Sequence, residues 1–162
     1  MTTIADSSSA FDEISCGGVP FYLKKDEEPL YLLVLHNGPY PYWAFPKGRQ
    51  IEGESYEQTA IREIREETGQ SQFQIVKRLI SDSIYFPQRG KKTIVKKVVF
   101  FLVHFSSKKV VLSAEHSDLH WATYDEAQAL LKFDGYLRVL NESHEFLMNQ
   151  KKHLKDSQPK SR

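Results

Sequence analysis

Residues 55–68 read as one helix that carries more negative charge than an isolated helix tolerates. Ala60, Ile61 and Ile64 supply apolar positions at helical spacing, Ser55 stands where a cap is needed, and Gly69 supplies the stop. Glu54 falls inside the first turn or just before it. Glu63 lies three residues before Glu66 and four before Glu67, so helical geometry brings these carboxylates to neighbouring positions. Like charges at that spacing repel, and Glu66 and Glu67 stand at the end of the helix where its dipole disfavours them. That cost needs an offset. Hard oxygen ligands for magnesium would supply one. Arg62 and Arg65 offer another, since Arg62 lies four residues before Glu66 and eight after Glu54. A salt-bridged, solvent-facing helix is therefore the competing reading. Gly48 and Gly53 weigh against it, because they bracket the loop into the helix, where backbone approaches something closely or takes positive φ. A loop carbonyl near Gly48 would add a metal ligand.

A chain of 162 residues, 40% hydrophobic and 27% charged, fits one soluble domain with a substantial core. Lys plus Arg number 22 against 21 Asp plus Glu, a formal charge of +1, which argues against a general nucleic-acid coat. The charge is uneven: carboxylates cluster at 52–67, basic residues at 89–97 and 151–162. A phosphate substrate held through metal ions suits that split, and so does a solvated surface. Cys16, the single cysteine, excludes an intramolecular disulfide and a four-cysteine zinc site. No secretory h-region precedes Ser15, and apolar runs such as Val98 to Val103 are too short to span a bilayer. The expectation is a cytoplasmic protein with no membrane partner.

Along the chain, 1–14 reads as a flexible arm, 15–150 as the folded domain and 151–162 as a basic, disordered tail. Strands are expected at Gly18 to Leu23 and Leu30 to Leu35, forming a hairpin. A structured loop spans His36 to Gly48. Further strands are expected at Phe73 to Ser81, Thr93 to Phe105 and His120 to Thr123, with 82–92 a loop and 108–112 ambiguous. Helices are expected from Tyr124 to Leu131 and from Gly135 to Asn149. Strands flank helices without a clean βαβ repeat, so the fold class is α/β: a mixed sheet sandwiched between helices on both faces.

Gly48, Glu54, Arg62-Glu63-Ile64, Glu66-Glu67 and Gly69 together resemble the Nudix box: glycine, five residues, glutamate, seven residues, then Arg-Glu-aliphatic-any-Glu-Glu-any-Gly-aliphatic. Gln70 departs from it, standing where the family has an aliphatic residue. The resemblance implies a Nudix fold, an α/β/α sandwich, and a Mg2+-dependent (or Mn2+-dependent) pyrophosphohydrolase. Metal would be held by Glu63, Glu66, Glu67, the Gly48 carbonyl and Glu115. Glu54 and Arg62 would brace the loop against the helix. Water would attack a phosphorus of a nucleoside-diphosphate-linked compound, with the base open among Glu67, Glu66 and Glu115.

Outside the box, Trp43-Ala44-Phe45-Pro46-Lys47-Gly48 looks like the corresponding approach segment of asymmetric diadenosine tetraphosphate hydrolases. Ser113-Ala114-Glu115-His116, Trp121, Glu126-Ala127, Phe133 and 144–147 resemble the same group, with His120 in place of its arginine. That likeness implies Lys47 and His116 at phosphate and Glu115 near the metals. Trp43, Tyr85 or Phe133 would form an aromatic face for a base. Arg89, Lys91 and Lys92 are candidates for distal phosphates, or a solvated charge run. Alternation sends one of Lys96 and Lys97 inward to the cleft or outward past the sheet edge. Trp121 and His144 read as packing residues. Diadenosine tetraphosphate cleaved to ATP and AMP is the leading expectation. Removal of pyrophosphate from a triphosphorylated RNA 5′ end, another diphosphate substrate, and a non-catalytic sensor are the alternatives.

Overall fold

The computed structural model describes residues 11–81, 83–85, 88–89, 92–93 and 95–157. Its elements, in order, are β1 (Glu13–Tyr22), β2 (Leu30–His36), β3 (Tyr42–Ala44), β4 (Lys47–Arg49), α1 (Tyr56–Thr68), β5 (Phe73–Arg78), β6 (Ser83–Tyr85), β7 (Gln88–Arg89), β8 (Lys92–Thr93), β9 (Lys96–Phe105), β10 (His116–Ala122), α2 (Tyr124–Leu130) and α3 (Asp134–Ser157). β9 is a near-continuous apolar run, as a strand buried on both faces must be. It lies between β1 and β5 in the main sheet, which runs β10-β2-β1-β9-β5. β1 and β9 pair in parallel and the other ladders are antiparallel, so the sheet is mixed.

Strand alternation sorts the apolar side chains onto two faces. Ala60 and Ile64 of α1 pack with Cys16, Leu32, Val99, Val103 and Phe105 on one face. Val139, Leu140 and Leu147 of α3, with Ala127 of α2, pack with Val19, Leu33, Phe100 and Leu102 on the other. The expected sandwich is the observed one.

Several boundaries differ from expectation. β1 starts at Glu13, inside the expected 1–14 arm, because its pairing with β9 begins there and residues 15–17 are held on the other side by β4 as well. The expected loop from His36 to Gly48 contains β3 and β4, and the expected 82–92 loop contains β6, β7 and part of β8. These strands are too short to show a period. β10 begins at His116, four residues early, through Ser117 and Asp118, which are poor strand formers. A register shift there is accompanied by the Asp118 carboxylate accepting from the Leu119 N–H. α3 runs to Ser157 rather than Asn149, so half of the expected disordered tail is helix. Lys151 and Lys152 suit the negative end of its dipole.

His144 fastens α3 to the sheet and to α2. Its Nδ1 lies 2.8 Å from the hydroxyl of fully buried Tyr31, and its ring stacks on Tyr124 at 3.9 Å. Trp121 also packs, against the α1-side core, while its indole N–H donates to the Lys108 carbonyl. Burial lowers the His144 pKa below its ordinary 6.5, against the pull of Glu28 and Asp125. The stability contributed by neutral His144 is therefore complete above the unfolded pKa and is lost as pH falls through the folded one. His144→Phe keeps a ring on Tyr124 but strands the Tyr31 hydroxyl. It should cost about 1–3 kcal/mol at pH 8, and the deficit should narrow at pH 5. Thermal melts of both proteins at the two pH values measure this, and an undiminished deficit at pH 5 would refute it.

Candidate active site

α1 begins with a capping box: the Ser55 side chain accepts from the Gln58 N–H, and the Gln58 side chain accepts from the Ser55 N–H. It ends at Gly69 in the left-handed conformation, as the sequence predicts. Glu54 lies just before the cap. Its carboxylate accepts from the Ile51 N–H, the Thr59 hydroxyl and, in bidentate fashion, Arg62. The Arg62 guanidinium, then the Ile51 amide, hold the Glu54 carboxyl down at about 2. Arg62 also reaches Glu63 at 2.8 Å, Glu66 at 3.4 Å and the Arg49 carbonyl at 2.9 Å. One guanidinium thus ties the incoming loop, β4 and the carboxylate face of α1.

β4 comes very close to that face. A Cβ placed on Gly48 would overlap the Glu63 carboxylate, so any other residue there would push that carboxylate from its place. Gly53 serves the other purpose expected of the pair, turning the loop at φ 89°. Next to Gly48, the Lys47 N–H donates to Glu67 Oε2 at 3.1 Å. Glu67 is buried (5% exposed), Glu63 nearly so, and Glu66 has a 58% exposed side chain. Burial, followed by the Glu63 charge, pushes the Glu67 carboxyl up to about 8. Burial raises Glu63 as well, although Arg62 opposes it.

Glu115 and His116 reach this pair from the turn before β10. The Asn37 N–H donates to the Glu115 carbonyl, and His116 pairs with His36 across the sheet. Glu115 is exposed, and its charge raises both Glu63 and Glu67. His116 is buried, with Nε2 3.9 Å from Glu67 and Nδ1 3.1 Å from the Ser113 hydroxyl. Burial, then His36, lowers its pKa.

Cations line the adjoining face of β4. Burial and the neighbouring Lys96 push the Lys47 ammonium down, while Glu67 and Glu63 pull it back up. Of the two lysines that alternation left undecided, Lys96 is therefore the one beside the site. Lys97 instead lies over the rings of Phe11 and Tyr56. Lys91 lies outside the described residues. Tyr85 falls in β6 and Arg89 in β7, and only their backbone is described.

Phe133 is 51% exposed and meets Tyr42 edge-on at 5.2 Å. Tyr42 stacks on His36 at 5.0 Å, and His36 meets His116 at 5.7 Å. These rings form a ladder from solvent to the buried carboxylates. Tyr42 and His36 did not stand out in the sequence, where only the density of aromatics around Pro41 hinted at them. Trp43 lies off the ladder, against the α3-side core and 6.4 Å from His120.

The donors around Glu63 and Glu67 are hard oxygens, and their like charge is incompletely offset, so they fit a hard divalent cation. Among the described residues no three His, Cys, Asp or Glu side chains are drawn together as a closed cage. Magnesium takes one or two carboxylates and keeps waters and phosphate oxygens among its other ligands, so the Glu63–Glu67 pair is the part of the site whose chemistry fits it. Gln70, the departure from the box, replaces an apolar contact with polar ones: its side chain donates to the Lys109 carbonyl and accepts from the Gln72 N–H.

The NUDIX domain pattern matches residues 17–148. The asymmetrical bis(5′-nucleosyl)-tetraphosphatase of Sus scrofa is 34% identical over 121 residues, 72% of this chain and 80% of that protein. Among solved structures, a binary complex of the C. elegans Ap4A hydrolase aligns with a TM-score of 0.72 at 25% identity, covering 85% of this chain and 98% of that one. A NUDIX hydrolase described as putative, from Listeria monocytogenes, gives 0.72 at 26% identity, covering 85% and 95%.

Since Glu67 is raised in the folded chain, its contribution to stability is present below its unfolded pKa and is lost as pH rises through about 8. Glu67→Gln mimics the protonated form and can still accept from Lys47. In chelator-treated protein it should raise the thermal midpoint at pH 9 by roughly 3–6 °C and change it little at pH 4.5. A lowered midpoint at pH 9 would sink this account of the carboxylate pair.

Proposed function

The chain belongs to the NUDIX family, and from that premise we propose that it cleaves diadenosine tetraphosphate asymmetrically, to ATP and AMP. Hydrolysis of nucleotide substrates is the general chemistry of the family. The observation that carries the finer reading is the aromatic ladder, whose outer ring, Phe133, stands half-exposed while its inner end meets Glu67 through His116. A base stacked near Phe133 and Tyr42 would lead its phosphate chain along Lys47 and Lys96 toward the carboxylates. The likeness to asymmetrical tetraphosphatases over most of the chain supports the same reading.

On this proposal Glu63, Glu66, Glu67 and the Gly48 carbonyl would hold Mg2+, on which the family generally depends. When bound, the metal supplies charge neutralisation at phosphate and a lowered pKa for water. Arg62 keeps Glu63 and Glu66 facing the substrate, and Glu54 keeps Arg62 in place. Of the three base candidates, Glu67 is tied to the Lys47 N–H and Glu66 to Arg62. Glu115 is exposed on a turn and makes no side-chain hydrogen bond to the described residues, so it accepts the proton of the attacking water. Lys47 holds the phosphate next to the leaving group. Attack at one of several chemically similar phosphorus atoms is then selected by position alone.

The reading is tested by hydrolysing diadenosine tetraphosphate with Mg2+ in oxygen-18 water and resolving the products by mass. ATP plus AMP, with one of them labelled, is expected. Two ADP molecules would reject the asymmetric positioning. No product from a folded sample would reject the substrate and direct the assay to triphosphorylated RNA. In the same assay Glu115→Gln should lower kcat at least ~100-fold, the scale of a lost general base, with an unchanged circular dichroism spectrum. Turnover within twofold of the parent would remove Glu115 from the chemistry.

A further inference from the structure

Glu13 lies outside the stretch that matches the family, yet it joins the cations of the site. It is the register partner of Lys96 in the parallel β1–β9 ladder, and Lys96 Nζ lies 2.8 Å from its carboxylate. The other carboxylate oxygen accepts from the Arg49 guanidinium. The Glu13 and Lys96 side chains are only 14% and 17% exposed, so this pair is screened from water far more than a surface bridge. Ser15 pairs with Arg49 and Gly17 with Lys47. Since Glu13, Ser15 and Gly17 alternate along β1, the register places Glu13, Lys96, Arg49 and Lys47 on one face of the sheet. β1 contributes only small residues between them. The segment before β1 reinforces the placement: the Val95 N–H donates to Asp12, and the Asp12 N–H donates back to the Val95 carbonyl.

We propose that Glu13 is a positioning residue, which holds Lys96 and Arg49 as a fixed pair of cations beside Lys47 where the substrate's phosphate chain docks. A lysine ammonium on a flexible stem binds phosphate well only if its position is set beforehand, since ordering it on binding costs affinity. Glu13 sets that position from β1, on the face of the strand opposite Cys16 and α1. It acts on binding of the phosphate chain and leaves the chemical step alone. The proposal rests on the polyphosphate reading above.

The test compares Glu13→Gln, Lys96→Gln and the double variant with the parent, measuring KM and kcat for diadenosine tetraphosphate and, by calorimetry, the Kd for inorganic tripolyphosphate with Mg2+. Thermal melts confirm folding. Glu13→Gln should raise both KM and Kd three- to tenfold with kcat within twofold. The double variant should lose less than the two single losses combined, because Glu13 acts in part through Lys96. An unchanged or lowered KM and Kd, or additive losses in the double variant, would overturn the proposal; a lowered value would mean that Glu13 competes with phosphate for Lys96. A parent that binds tripolyphosphate but does not cleave the dinucleotide refutes the substrate reading only, and the Kd comparison still decides the role of Glu13. A parent that binds no tripolyphosphate overturns the proposal outright.

Discussion

The geometry of the site depends on one guanidinium. Arg62 donates to Glu54 in the loop before α1, to Glu63 and Glu66 on α1, and to the Arg49 carbonyl on β4. Planar, fixed donors suit this role, because each bond restrains the direction of the others, which a lysine could not do. Without Arg62 the Glu54 carboxylate would lose its bidentate partner, the loop would lose its tie to the helix, and Glu63 would stand buried with no cation in contact. A salt-bridged helix and a carboxylate site were competing readings of the sequence. The structure shows the bridges, and they fix the direction of the same carboxylates, so the two readings do not exclude each other.

Glu67 shows the conflict between stability and chemistry most plainly. A glutamate at a helix C-terminus, buried and close to a second carboxylate, is disfavoured by its dipole, its desolvation and its neighbour. A single backbone N–H, that of Lys47, faces it as compensation. Folding supplies this arrangement from elsewhere: the two apolar faces of β1 and β9 fix β4 and α1 relative to each other regardless of the charge between them.

Legibility in the sequence followed the range of the signal. α1 was readable to its caps, because Ser55, Gln58, Ile64 and Gly69 act within a turn or two of one another. The carboxylates, Arg62 and Gly48 were readable for the same reason, as fixed spacings on and beside one helix. β3 and β4 were not, since three residues carry no period and their strand identity comes from partners in β2 and β1. Tyr42 and His36 were hidden among other aromatics, and only the β2–β3 register stacks them. Lys96 and Lys97 looked alike along the chain, and the pairing with Glu13 separates them. His120, standing where the resembling enzymes carry arginine, retains a polar tether: its Nε2 lies 2.8 Å from the Glu126 carboxylate at the start of α2.

The sorting of charge within the site follows from three consecutive residues. Lys47-Gly48-Arg49 is a short strand at the edge of β1, and side chains alternate along it. Gly48 faces α1, where the absence of a side chain admits Glu63. Lys47 and Arg49 face the other way, toward Lys96 and Glu13. An edge strand leaves alternate backbone groups without a strand partner, and here α1 supplies the partners: Glu67 accepts from the Lys47 N–H, and Arg62 donates to the Arg49 carbonyl. β4 therefore divides an anionic face from a cationic one within the width of a single strand. On the proposed function, a phosphate chain laid over that strand would meet lysines on one side and, on the other, the carboxylates proposed to hold metal. The opposite charges feel each other across β4, yet no ion pair forms between Lys47 and the carboxylates of α1, because the backbone of β4 stands between them.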